Sequence, residues 1–209
     1  MFYDNFRTTL EKYPFFRSNI FPHIASNVDS LRLQVTKWIA KGYVIPLKRG
    51  FYTLREKDRA QNFSVYFLAN NLYSPSYVSL ETALSYYGFI PEKVVAITSV
   101  TSKKTQHFDN DYGNFVYHNI KESLYDDYIA LTDEFSNTFL MATKERAMID
   151  FLYLKVSALK DIDTDIFQSS YRMQNLDSLD HEKLKIIAAK FKNKKLDYLV
   201  DLLLKTTGE

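Results

Sequence analysis

LRLQVTKWIAKGYVIPLKRGFYTL, residues 31–54, changes its periodicity halfway along. In the first half Leu31, Val35, Trp38 and Ile39 stand at i, i+4, i+7 and i+8, so one helical face is apolar. Ser30, Leu33, Thr36, Lys37 and Ala40 fall on the opposite face, flanked by Arg32 and Lys41. Asp29 or Ser30 is placed to cap this helix and Gly42 to end it. Beyond Gly42 two strand-like runs, YVIPL and FYTL, meet at Lys48-Arg49-Gly50, where Gly50 supplies the positive φ that a hairpin corner often needs. Helix, glycine, strand, basic turn, strand is the outline of a winged helix-turn-helix.

Such a helix buries one face and offers the other to a DNA groove, and the hairpin reaches the neighbouring phosphates. Phosphate contacts supply affinity and base-edge contacts supply sequence choice. Lys37, Lys41, Lys48 and Arg49 are the expected phosphate or groove contacts. Ser30, Arg32, Leu33 and Thr36, near the helix N-terminus, are candidate base or backbone contacts, and Gln34 sits at the edge of the buried face. The competing reading is a winged helix that binds protein and leaves its charges in water.

The charge distribution favours a polyanion at this end. Residues 1–60 hold eleven Lys and Arg against five Asp and Glu, net +6, whereas residues 61–180 are net −7 and residues 181–209 net +3. A basic block on an acidic middle implies two surfaces with different partners. The absence of cysteine excludes disulfides, zinc–thiolate sites and thiol nucleophiles. No apolar run approaches the roughly 18 residues of a membrane helix, and no signal segment follows Met1, so a cytoplasmic protein without membrane contact is expected.

Working outward, Asn5–Tyr13 reads as a short helix closed by Pro14, followed by a helical or irregular segment, FFRSNIFPHIASNVDS. The polar run REKDRAQ, residues 55–61, is the best linker, giving a DNA-binding domain at 1–58 and a second domain at 59–209. That second part alternates: a helical FSVYFLANNLY, a helix opened near Ser79 and closed by Gly88, and a strand KVVAITSVT. A hairpin around Asn110–Gly113, a strand pair in DYIALTDEFSNTFLMAT and a helix capped by Thr143 come next. Residues 161–205 read as helical, with breaks near Asp177 and Asn193. The expected class is α+β: a winged helix-turn-helix followed by a mixed α/β domain with a helical C-terminus.

Catalytic and metal constellations are weak. Asp161, Asp163 and Asp165 in DIDTD fail the EF-hand pattern, because Ile166 and Arg172 stand where glycine and glutamate are needed. His23, His107, His118 and His181 share no helical metal face, although His107 and His118 could pair across the hairpin, and no HExxH or GxSxG occurs. Lys103 and Lys104 follow serine and threonine rather than the acidic residue a PD-(D/E)xK nuclease requires. No enzyme, metal or cofactor is therefore expected; the enzymatic alternative is a metal-dependent nuclease or transferase centred on Glu81, Lys103 and Lys104. Lys190, Lys192, Lys194 and Lys195 cluster at a helix junction, as a solvated helix end or a second basic patch.

Three blocks carry a resemblance. LRLQVTKWIAKGYVIPLKRGFYTL, then YVSLETALSYYGFIPEKVVAITSVTSKKTQHFDNDYGNFVYHNI, then MATKERAMIDFLYL resemble the AbiEi-type antitoxins of bacterial abortive-infection, type IV toxin–antitoxin systems. The likeness runs from about residue 25 to about residue 205, and its middle block is the most specific. It implies a bifunctional, non-enzymatic protein. The winged helix would bind inverted repeats of operator DNA and repress its own operon, through family positions that map to Arg32, Lys37, Lys48 and Arg49. The second domain would counteract a cognate nucleotidyltransferase-like toxin. Two copies on an inverted repeat are compatible with a monomer in solution.

Overall fold

A computed structural model describes residues 1–91, 94–158 and 166–206. The fold is mixed α+β, with a three-stranded and a six-stranded sheet. The first 58 residues build α1 (Tyr3–Leu10), β1 (Phe16–Arg17), α2 (Phe21–Ile24), α3 (Val28–Ala40), β2 (Val44–Lys48) and β3 (Phe51–Leu54). The small sheet runs β1-β3-β2 and is antiparallel throughout. α3 begins two to three residues earlier than expected: the cap is Asn27, not Asp29 or Ser30, and its side chain accepts the Ser30 N–H at 2.9 Å. Gly42 ends the helix at φ +68°, as its position requires. β1 was not legible as a strand; two residues long, it is defined by Phe16 opposite Tyr52 and Arg17 opposite Phe51.

Leu31, Val35 and Trp38 turn the inner face of α3 onto Phe6, Leu10, Phe16, Phe21, Val44 and Leu54. Trp38 is the keystone, its ring 4.8 Å from that of Phe6 and 5.4 Å from that of Tyr3. Truncating so large a buried aromatic costs about 3–5 kcal/mol.

The remaining described chain forms α4 (Val65–Leu72), β4 (Tyr77–Val78), α5 (Leu80–Tyr86), β5 (Ala96–Thr101), β6 (Gln106–Asn110) and β7 (Gly113–Asn119). β8 (Tyr128–Thr132), β9 (Thr138–Ala142), α6 (Lys144–Leu154), α7 (Ile166–Ser169), α8 (His181–Lys190) and α9 (Lys194–Thr206) follow. The large sheet has the order β6-β7-β5-β4-β9-β8, with β5/β7 and β4/β9 parallel and the outer pairs antiparallel. Adjacent residues of a strand face opposite ways. On β5, Thr98 bonds Thr82 of α5, whereas Ser99 lies beside Tyr117, whose hydroxyl donates to the Ala69 carbonyl of α4 at 2.7 Å. Helices therefore cover both faces.

α6 is buried along Glu145–Leu152, charged residues included. Arg146 is fully buried; its Nε donates to Asp150 at 2.9 Å and its Nη1 to Asp126 at 2.8 Å. Tyr77 and Ser79 donate to the other Asp150 oxygen, at 3.0 and 2.8 Å. Burial pushes the Asp150 carboxyl up, opposed by Arg146 and these two hydroxyls. The cluster joins α6 to β4 and to the segment before β8, and Lys190 of α8 reaches Asp126 and Asp127 at 2.8 and 2.6 Å. Asp161, Asp163 and Asp165 lie outside the described residues.

The expected linker is clamped rather than loose. Asp58 accepts from the Tyr3 hydroxyl at 2.6 Å and from Arg55 Nε, and the Ala60 N–H donates to the Glu11 carbonyl at 2.8 Å. Arg59 donates to Thr53 and to Tyr112 of the larger unit, while its guanidinium lies 4.3 Å over Phe63.

Candidate nucleic-acid interface

The outward face of α3 is what its inward packing leaves over. With Leu31, Val35 and Trp38 buried, Ser30, Arg32, Leu33, Thr36, Lys37, Ala40 and Lys41 are all exposed. Gln34 is half-buried at the margin, as its spacing indicates. The β2–β3 turn stands beside this face. A groove of about 230 Å³ runs between them, lined by Ser18, Arg32, Thr36, Arg49, Gly50 and Tyr52 among others. Two of the candidate cations, Arg32 and Arg49, thus border one groove with one of the candidate base-contacting residues, Thr36.

The groove is shaped by the tight turn. Gly50 has φ +72°, and a Cβ there would meet the Ser18 hydroxyl at 3.1 Å. The Ser18 N–H donates to the Gly50 carbonyl at 3.0 Å, so the turn is tied to the segment after β1. Arg32 pairs with Asp29 one turn back at 3.0 Å, with both side chains largely in solvent. An exposed pair of this kind is worth about 0–1 kcal/mol, little enough for Arg32 to exchange Asp29 for a phosphate.

Lys48 takes a different place from the one expected of it. The register of β2 against β3 shifts between Pro46 and Lys48, and Lys48 turns toward the larger unit. Its ammonium donates to the Leu72 carbonyl and lies 5.3 Å from the Phe108 ring centre. Burial lowers its pKa first, with Arg17 and Lys103 adding to the effect. Leu47 and Phe51 join the larger core, and Asn110 Nδ2 donates to the Leu47 carbonyl at 3.0 Å. Lys48 therefore holds the hairpin to the second unit, and Arg49 is the cation the turn offers outward.

Arg17 was missed. It is exposed, its guanidinium lies 4.6 Å over the Phe51 ring, and β1 sets it opposite Phe51 beside the turn. A two-residue strand has no periodicity from which such a neighbour could be read.

The constellations proposed for catalysis do not assemble. Glu81 pairs with Lys155 at 3.3 Å, whereas Lys103 donates to the Ser74 carbonyl at 2.5 Å beside Tyr73; Lys104 is exposed. His107 stands opposite Val116, so it does not pair with His118 across the hairpin. Burial and Lys155 hold His118 below the ordinary imidazole value, against Glu81. His23 is exposed. The C-terminal basic cluster is partly spent, because Lys190 is bound to Asp126 and Asp127. Among the described residues no three His, Asp or Glu side chains are grouped to hold a metal ion, and no helix is long and apolar enough to cross a membrane. No protein-family model matches the chain, and no curated protein matches it either.

Proposed function

We propose that the chain is an antitoxin and transcriptional autorepressor of a bacterial type IV toxin–antitoxin operon, acting without catalysis. Its first 58 residues would bind operator DNA as a winged helix, and its second domain would counteract a nucleotidyltransferase-like toxin. The observation that carries the DNA-binding half is the connectivity α1-β1-α2-α3-β2-β3 with sheet order β1-β3-β2. This order supports the winged-helix reading, and it leaves the cationic outer face of α3 open beside Arg49. Ser30, Arg32, Leu33, Thr36, Lys37, Lys41 and Arg49 form the proposed DNA surface, with Lys48 removed from it. The toxin half is supported by the sequence resemblance in residues 77–120 and 141–154.

A gel shift on the DNA upstream of the chain's own gene tests the first half, with a salt-sensitive complex as the expected outcome. Coexpression with the product of an adjacent reading frame that carries a glycine-serine loop and an Asp-x-Asp motif tests the second. Restored growth is expected; unrelieved growth arrest would rule out the antitoxin role.

A further inference from the structure

We propose that the outward stripe of α3, formed by Leu33, Thr36 and Ala40, reads the 5-methyl groups of thymine in the major groove. The proposal rests on the DNA-binding reading above and specifies what that helix recognises. At about 100° per residue, the three positions fall within roughly 60° of one another around the helix. All three are exposed, Leu33 to 66%. The Thr36 hydroxyl donates back to the Arg32 carbonyl at 3.1 Å, so its remaining γ-substituent is a methyl group. The centre of the face therefore presents an isobutyl group and two methyl groups, with no free hydrogen-bond donor between them.

Cations border this stripe on both sides, Arg32 on one and Lys37 and Lys41 on the other, by the same helical geometry. Asp29 lies at its N-terminal end and is engaged by Arg32. One exposed leucine needs no explanation on a protein surface. Three aligned apolar groups between flanking cations, beside a groove that Arg49 also borders, match a polyanion with apolar features at its centre. The major groove of DNA is such a ligand. Its phosphates lie at the rims, and the thymine methyl is the apolar group on its floor, contacted elsewhere by alanine and threonine side chains. A guanine edge would require a donor in the middle of the face, where this helix has none to spare.

The test uses the full chain and deoxyuridine, which differs from thymidine by that methyl alone. Duplexes are first enriched from a random pool, and each thymine of the winner is then replaced singly. Affinity is read by fluorescence anisotropy at fixed salt. At least one replacement is expected to weaken binding about fourfold, the equivalent of one buried methyl group. Leu33→Ala should bring that thymine-to-uracil ratio close to one while leaving the salt slope and the melting temperature unchanged. Deoxyuridine tolerated at every position, or a ratio that survives both Leu33→Ala and Thr36→Ser, overturns the proposal and leaves DNA binding standing. A chain that enriches no duplex refutes the DNA-binding reading and this inference with it.

Discussion

Replacing Arg49 with alanine should change how DNA binding responds to salt, and replacing the neighbouring Lys48 should not. Each phosphate contact adds about 0.9 to the slope of log K against log salt. Four candidate cations face outward: Arg32, Lys37, Lys41 and Arg49. If all four meet phosphates, one copy has a slope of about −3.6 and loses about 150-fold in affinity between 50 and 200 mM salt. Arg49→Ala lowers the slope to about −2.7 and the loss to about 40-fold. Lys48→Met keeps the apolar stem against Phe51 and Phe108 and deletes a charge already bound to the Leu72 carbonyl. Its slope should equal that of the unaltered chain. Anisotropy titrations at four salt concentrations, with circular dichroism to verify folding, decide the matter. Equal slope changes for the two variants would mean that the hairpin lifts off the second unit to bind, and the docked Lys48 would no longer describe the DNA-bound protein.

Three further outcomes follow from the packing. Arg146→Met leaves the buried Asp150 carboxylate without its cation and should cost about 3–5 kcal/mol in urea unfolding, whereas adding Asp150→Leu should restore part of that loss, less what the Tyr77 and Ser79 hydroxyls lose as partners. Trp38→Ala should cost about 3–5 kcal/mol and should abolish DNA binding by unfolding the small core, visible as a lower first transition in calorimetry. Asp58 is pushed up by burial, but hydrogen bonds from Tyr3 and Arg55 overcome this and hold it below its ordinary value of 3.8. Its contribution to stability is therefore present above that value and is lost as pH falls through the lower folded one. Asp58→Asn should flatten this acid limb in denaturation curves taken between about pH 6 and pH 2.5; an unaltered limb would show that another carboxylate controls it.

The helical half of the opening stretch was legible because burial imposes a period. Leu31, Val35 and Trp38 are inside, and the residues between them are outside. The strand pair around Asn110–Gly113 and the Thr143 cap were legible for the same local reason, since turn and cap chemistry act over two or three residues. The division of labour between Lys48 and Arg49 was not. Adjacent identical charges look alike in a sequence, and what separates them is a register shift and a carbonyl at Leu72, 24 residues away. The buried Arg146–Asp150 pair has i, i+4 spacing, which usually marks a solvated helix face. The signal against that reading was present: Ala147, Met148, Ile149, Phe151 and Leu152 make the helix apolar all round, and such a helix is interior.

The docked hairpin also limits how copies of this molecule can join edge to edge. A sheet grows into a filament when both of its outer strands are free to pair with a neighbour. Here β6 forms one end of the six-stranded sheet, and β2 lies against it with Asn110 bonded to Leu47. The opposite end, β8, has no such cover from the hairpin. The hairpin thus backs one edge of the large sheet and leaves the other to the segments around β8. The side chains that hold the hairpin in place therefore also shield one outer strand of the six-stranded sheet.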